Sequence, residues 1–348
     1  MSPTDPAALT AFAELHGCSC KVDQGELDEL LTEVGLTEPT DDLLLGVGED
    51  AAARQLTDEI ALVSTIDFFT PIADDPVDFG RIAACNAASD AFATGAIDNI
   101  GCLVILGLPR ELIEQAEPIL RGMRSAIEGM DGSIVGGHTV LNPWPLAGGA
   151  ITATAHPSNL LSSATAQPGD LLYLTKPLGT QPAMGAMRVS DGKFVETVAR
   201  TAPRPIDRIG KEAIDWMTTP NADAARVVRQ YANAATDVTG FGLAGQAGHL
   251  ARRSGVGIEI SSIPVIPGTP ELSDLFGYGL RQGESAETSG GLLASVPAHA
   301  CDEIESAFDA AGIFYRQIGR VSEGEGASLT NGTVDPVDER PTRPLPKP

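Results

Sequence analysis

Hydrophobic and polar positions along this chain fall into two runs of alternating strand and helix patterns, preceded by a short helical stretch. Leu27, Leu30, Leu31 and Val34 recur at helical spacing and predict a helix over Glu26–Val34. From Leu43 the α/β alternation begins. Ile60–Ile66 reads as a strand ending at Asp67, and Val77–Thr94 as a long helix closed by Gly95, a C-cap signal. Ile100–Leu106 reads as a buried strand, Arg110–Met130 as a helix, Ser133–Val135 as a strand leading into Gly136-Gly137-His138-Thr139, and Leu146–Ala155 as a further strand.

Periodicity lapses over the Ser/Ala/Gln/Pro-rich stretch Pro157–Gly169, which reads as an interdomain connection. The second run then predicts strands at Leu171–Thr175, Val256–Ile260, Gly291–Val296 and Phe314–Val321. Helices are expected at Ile206–Met217 and Ala300–Ala311, with another opening after the turn Asp237-Val238-Thr239-Gly240-Phe241-Gly242 and running to about Arg252. The Pro- and charge-rich tail from Asp335 is expected to fray. The organisation expected is an arm with a helix over 1–40, an α/β domain over 41–156, a second α/β domain over 157–334 and a tail over 335–348. No short-period repeat is present, which excludes solenoids and propellers.

Composition narrows the class. At 348 residues with 43% apolar and 20% charged positions, the chain can bury a substantial core and is not a disordered protein. No apolar run is long enough to span a bilayer and Met1–Ala11 lacks the features of a signal peptide, so a cytoplasmic protein is expected. The formal charge of −24 repels polyphosphate backbones and argues against nucleic-acid binding. A nucleotide triphosphate would need to arrive with a divalent metal. Such an excess of acid fits a halophilic, salt-rich cytosol, where screening shrinks self-repulsion, or a merely acidic mesophilic protein. Five cysteines do not make a disulfide scaffold here; Cys85, Cys102 and Cys301 sit in apolar surroundings as core thiols.

Four aspartates share an unusual setting. Asp50 follows the Gly-rich Gly46-Val47-Gly48-Glu49, Asp67 ends a strand, Asp90 sits in a helix of small residues four positions after Asn86, and Asp237 precedes a Gly-rich turn. Separately they could be a turn former, a strand-end residue, a backbone-satisfied carboxylate and an N-cap. Jointly, carboxylates on separate loops are what Mg²⁺ bridging nucleotide phosphates requires. Gly136-Gly137-His138-Thr139 is expected to be a backbone turn able to cradle an anion, with His138 read as a satisfied loop histidine rather than a metal ligand. Neither a P-loop nor a dinucleotide fingerprint occurs. Gly17-Cys18-Ser19-Cys20-Lys21 is small and polar and predicts a mobile loop with an accessible thiol, its thiolate favoured by Lys21, one of five lysines. A zinc or redox pair is the alternative, but C-x-C without a second Cys or His pair is a poor zinc signature.

These segments, with Thr65–Ile72, Gly80–Asp90, Gly136–Pro145, Thr175–Thr180, Thr236–Leu243 and Glu287–Leu292, resemble the selenophosphate synthetase (selenide, water dikinase) family within the aminoimidazole-ribonucleotide-synthetase-like superfamily. They run in family order from about residue 16 to 322. The resemblance implies an α/β (α+β) two-domain fold whose N-terminal domains pair across a homodimer into a barrel. It implies conversion of selenide, ATP and water to selenophosphate, AMP and phosphate, supplying selenium for selenocysteine and selenouridine. By position it makes Cys18 and Lys21 catalytic, with Lys21 also touching phosphate. Asp50, Asp90 and Asp237 become Mg²⁺ ligands; Val47, Gly48, Glu49, Asp67, Asp90, Gly137, His138 and Thr139 become nucleotide contacts. Ser19 stands where glycine is common, and Ser285-Ala286-Glu287 replaces the D-P-Q of many bacterial members. A superfamily kinase or synthetase with another acceptor, such as a thiamine monophosphate kinase, would not need the Cys18–Lys21 arm. A non-catalytic nucleotide-binding homologue would be expected to lack the nucleophile or a metal ligand, and a thiol-redox or metal-sensing protein would leave the aspartates unexplained.

Overall fold

The computed structural model describes residues 8–22, 24–36, 43–189, 192–330, 333–342 and 344–348. The division expected between residues 40 and 41 falls outside them. After two short 3₁₀ segments at Leu9–Phe12 and Cys18–Cys20 comes α1 (Gln24–Glu33). The first half then contributes β1 (Leu43–Leu45), β2 (Ala52–Gln55), β3 (Ala61–Phe69), α2 (Pro76–Ala93), β4 (Asp98–Leu108), α3 (Ala116–Gly129), β5 (Ser133–Leu141) and β6 (Leu146–Ala155). Its sheet runs β1-β2-β3-β6-β4-β5, antiparallel except for the parallel β4–β5 pair at the edge.

The second half contributes β7 (Leu171–Leu174), α4 (Thr180–Met187), α5 (Gly192–Thr201), α6 (Ile206–Met217), α7 (Ala222–Tyr231), β8 (Ala234–Asp237), α8 (Gly242–Ser254), β9 (Gly257–Ile260), β10 (Ile263–Val265) and α9 (Thr269–Phe276). It closes with β11 (Leu292–Val296), α10 (Cys301–Ala311), β12 (Arg316–Ser322), β13 (Gly326–Leu329) and β14 (Val334–Pro336). Its main sheet runs β13-β9-β12-β7-β11-β8, and β10 and β14 form a separate parallel pair.

The helix α2 joins the halves. Asp75 caps it by accepting from the N–H groups of Val77 and Asp78, at 3.0 Å each, and Pro76 stands at its first position. Its small residues Ala83, Ala84, Ala87 and Ala88 are fully buried, so β3, β6 and α3 approach on one side and β8, α6 and α7 on the other. Cys85, Cys102 and Cys301 are buried thiols, as their apolar surroundings predict.

Three expectations change. The helix expected over Arg110–Met130 is a 3₁₀ segment, Arg110–Gln115, followed by α3; Pro118 lacks an N–H and its ring collides with the carbonyl four residues back, so an α-helix cannot run through it. Gly136–Thr139 is not a turn but the middle of β5, because residues 136–141 pair in parallel with β4 from Leu103 to Leu108. The tail does not fray. Val334–Pro336 pairs with β10, Val337 is buried, Leu345 N donates to Thr218 O at 3.2 Å, and Lys347 meets Asp75 and Asp78.

One face of the first sheet stays uncovered. Ile66, Phe68, Leu103, Val135 and Leu141 are exposed on it or along its edge, and all of β5 is exposed. Among the described residues no helix is long and apolar enough to cross a membrane.

Candidate active site

The two halves meet where β3, α2, β8 and the segment 285–291 converge, and the N-terminal arm lies across that junction. Asp67 sits inside β3, not at its end, on the buried face toward α2. Lys21 Nζ lies 2.7 Å from Asp67 Oδ2, and Asn86 Nδ2 donates to the same oxygen at 2.6 Å. Asn86 is 0% exposed, and its Oδ1 accepts from Ser289 N at 2.7 Å and from Cys18 Sγ at 3.2 Å. One amide on α2 thereby ties the arm, β3 and the C-terminal half together.

Around this core stand the remaining aspartates. Thr65 Oγ1 donates to Asp90 Oδ2 at 2.7 Å, and Thr236 Oγ1 donates to Asp50 Oδ1 at 2.9 Å. Asp237, at the end of β8, is buried, and its Oδ2 has no hydrogen-bond partner among the described residues. Removal from water pushes the Asp50 and Asp90 carboxyls well above the usual range, and the neighbouring Asp237 charge adds to it in both. Burial likewise raises Asp237, with Ser89, Lys21 and Lys176 pulling the other way. Carboxyl oxygens crowded from water and from one another, one of them orphaned, form a donor set that suits a hard divalent cation. Among the described residues, however, no three His, Cys, Asp or Glu side chains are gathered closely enough to hold a metal by themselves. A cation here would complete its shell with water or phosphate oxygens, as Mg²⁺ commonly does.

The arm departs most from expectation. Small polar residues at 17–21 predict an accessible, mobile thiol, but Cys18 is only 1% exposed. Gly17 N donates to Thr70 O at 3.0 Å, and Cys18 N donates to Thr288 Oγ1 at 3.1 Å. Burial dominates the Cys18 thiol and pushes it far above the ordinary range, although Lys21 pulls it down; the thiolate that a neighbouring ammonium predicts is therefore not favoured in this closed arrangement. Lys21 itself is raised well above its usual value: burial opposes this, but the acidic groups around it, Cys18, Asp67 and Asp90, together with the hydrogen bond to Asp67, outweigh it.

Val47 is 49% exposed, and Gly48 O accepts from His249 Nε2 at 2.7 Å. The Glu49 carboxylate is engaged by the second half of the chain. It accepts from Ser162 Oγ at 2.6 Å and from Ser163 N and Oγ at 2.8 Å each, and it pairs with Arg253, clamping the loop to the second half. Gly137 lies in one cross-sheet row with Asp67, through Gly149 and Val104. Three strand spacings put it about 14 Å away. Gly137, His138 and Thr139 are thus not brought against the aspartates within one chain; they are exposed on β5.

Sequence reasoning did not assign Thr65, Ser89, Asn221, Thr236, Thr288 or Lys176 to the site. Asn221 Nδ2 bridges Ser89 Oγ at 2.9 Å and Gly290 O at 2.8 Å. Lys176 Nζ donates to Ser289 O at 2.8 Å, and burial lowers it to about 8. The Thr236–Leu243 and Glu287–Leu292 motifs pointed to these loops but not to the side chains.

Residues 48–155 match the family of the AIR synthase related protein N-terminal domain, and residues 167–331 that of the C-terminal domain. Over 342 residues the chain is 39% identical to a selenide, water dikinase of Methanocaldococcus jannaschii, spanning 95% of this chain and 97% of that one. Over 332 residues it is 41% identical to a selenide, water dikinase of Methanococcus maripaludis, spanning 92% and 98%. It superimposes on the thiamine monophosphate kinase of Aquifex aeolicus with a TM-score of 0.65 and 21% identity, covering 90% of this chain and 98% of that one, which speaks for the fold alone. Two matched domains in order, and about two-fifths identity along nearly the whole length of these relatives, make the chain a member of the selenide, water dikinase family, kinase-type transferases built on the AIR synthase fold.

Proposed function

We propose that this chain makes selenophosphate from selenide, ATP and water, releasing AMP and phosphate, and so supplies activated selenium for selenocysteine and selenouridine. The observation that carries the reading is the convergence of Cys18 and Lys21 on Asp67 and Asn86, beside Asp50, Asp90 and Asp237 from both halves. Cys18 and Lys21 are the catalytic pair. Lys21 brings an ammonium that can turn from Asp67 toward phosphate oxygens, where it stabilises charge on the transferred group. Cys18, sealed from solvent, guards the selenium-bearing intermediate where water is excluded.

Asp50, Asp90 and Asp237 would hold Mg²⁺, which would neutralise triphosphate charge inside a strongly acidic protein. Asp67 and Asp90 face the nucleotide complex, and Val47, Gly48 and Glu49 present their backbone to it while Glu49 anchors the loop through Ser162, Ser163 and Arg253. Gly137, His138 and Thr139 reach a nucleotide if two copies pair through the uncovered face of the first sheet. Such a homodimer would also cover Ile66, Phe68 and Leu103 and retire the open edge β5. We place the enzyme in the cytoplasm, divided at about residues 41–156 and 157–334, and the acid excess fits a salt-rich interior.

The test is product analysis with and without selenide. Selenide-dependent AMP is expected from the wild type and is abolished by Cys18→Ser and by Lys21→Ala, each with an unchanged circular dichroism spectrum. ADP as the sole product, or normal turnover in both variants, rejects the reading.

A further inference from the structure

The segment Glu287–Leu292 has no role in the chemistry above, yet it touches the arm directly. Thr288 is buried, and its Oγ1 accepts from the Cys18 N–H across 270 residues of sequence. Gly17 has a φ of +58, in the region that favours glycine, and a Cβ there would collide with Thr288 Oγ1. On the opposite flank, a Cβ on Gly240 would lie 2.7 Å from the Cys18 carbonyl oxygen. Two separate segments of the C-terminal half therefore reach the Cys18 backbone.

Thr288 is itself held. Its N–H donates to Thr180 Oγ1 at 3.1 Å, and that hydroxyl donates onward to Glu287 Oε2 at 2.5 Å. Glu287 also accepts from Gly179 N and Thr180 N at 2.8 Å each, where the first N–H groups of α4 favour a carboxylate. Because Glu287 fixes the Thr180 hydroxyl as a donor, its lone pairs are turned to the Thr288 N–H. The order Glu287, Thr180, Thr288, Cys18 is thus a relay of contacts in which the Thr288 backbone is anchored while its hydroxyl oxygen accepts from Cys18. Gln181 on α4 adds a 3.4 Å contact from its Nε2 to Ser19 Oγ.

We infer that Thr288 is a positioning residue that latches the N-terminal arm shut, with Thr180 and Glu287 as its anchor. The latch fixes the Cys18 backbone, and through it the thiol, against Asn86; it acts through Cys18 and touches no reacting atom. Other grips on the arm's backbone, Gly17 N to Thr70 O and Thr70 Oγ1 to Leu15 O, join two N-terminal segments. Thr288 makes closure of the arm depend on the second half being seated. The inference rests on the catalytic reading of Cys18 for its kinetic consequence, but not for its structural one.

The experiment compares Thr288→Val, which keeps shape and removes the hydroxyl, with Thr288→Ser, which restores it. Full-length protein is treated with a maleimide, and modification of Cys18 is followed by peptide mass. Thr288→Val is expected to speed Cys18 modification about tenfold, the factor set by losing roughly one hydrogen bond, and Thr288→Ser to stay near wild type. The kcat for selenide-dependent AMP formation falls by a similar factor in Thr288→Val, with the KM for ATP held within about twofold. Gly17→Ala, which blocks the same contact from the arm side, gives the same acceleration and replaces Thr288→Val should that variant not fold. Cys18 modification at the wild-type rate in the variant used overturns the latch. Selenide-independent kinetics would instead sink the proposed reaction and leave the labelling result standing.

Discussion

Replacing Glu287 by Gln tests the anchor of the relay through its proton. Glu287 is 1% exposed and, among the described residues, meets no cation; its partners are Gly179 N, Thr180 N and Thr180 Oγ1. Burial pushes its carboxyl from the ordinary 4.5 up to about 7, against the pull of those three hydrogen bonds. The folded state therefore binds this proton more tightly than the unfolded chain does. Its contribution to stability is fully present below about pH 4.5 and is lost as pH rises through about 7. At about 1.4 kcal/mol per pH unit the whole difference is about 3 kcal/mol, of which about 2 kcal/mol falls between roughly pH 5.5 and pH 8.5. Glu287→Gln cannot titrate, and whatever its amide loses at one N–H is constant with pH. Urea unfolding of both proteins across that range should show wild-type stability falling relative to the variant by about 2 kcal/mol toward alkaline pH. A difference independent of pH would mean that Glu287 is charged throughout, and the stated effect of burial would be wrong.

Two further outcomes follow from the same contacts. Asn86→Ala leaves Ser289 N without its partner and Asp67 with Lys21 alone, and should lower unfolding free energy by about 3 kcal/mol and selenide-dependent AMP formation by at least tenfold; a loss of less than about 1 kcal/mol would show that water replaces the amide. Deleting residues 334–348 removes β14, buried Val337, the Arg340–Glu212 pair and the Lys347 contacts to Asp75 and Asp78, and should lower the melting midpoint by several degrees; an unchanged midpoint would return the tail to a peripheral role.

The sequence was most legible where one element settles its own limits. Leu146–Ala155 and Ile206–Met217 form as their patterns predict, and α2 ends at its Thr94–Gly95 stop. Short elements escaped notice: β8 is four residues of Ala, Thr and Asp, and α4 is eight residues rich in small side chains with Pro182 in its first turn, so neither carries a clear apolar pattern. The tail looked polar because the residues that anchor it, Val337 and Leu345, are isolated apolar positions among prolines. At the site the four aspartates could be singled out, because carboxylates beside Gly-rich loops are uncommon. Their hydroxyl and amide partners could not, since Thr65, Thr236 and Asn221 are unremarkable until packing brings them there. Cys18 shows the limit most plainly. Local composition says exposed, but Cys18 is buried among residues distant in sequence, Asn86, Gly240 and Thr288.

That long-range contact also explains how an acidic protein tolerates its own active site. Asp50, Asp90 and Asp237 are each driven up by removal from water and by neighbouring carboxylates, and Lys21 is the cation whose charge opposes the rise in all three. Lys21 lies three residues beyond the N–H that Thr288 holds, so the hydrogen bond that seats Cys18 also delivers the ammonium. The chain has 23 basic residues against 47 acidic ones, and distant arginines cannot substitute, because screening confines exposed charges to about a Debye length, roughly 8 Å at physiological salt. The short-range cation common to all three carboxylates therefore comes by way of the arm, with Lys176 adding to it at Asp237. Closing the arm and balancing the carboxylates are one event, and weakening the Thr288 latch is expected to disturb the thiol and the charge together.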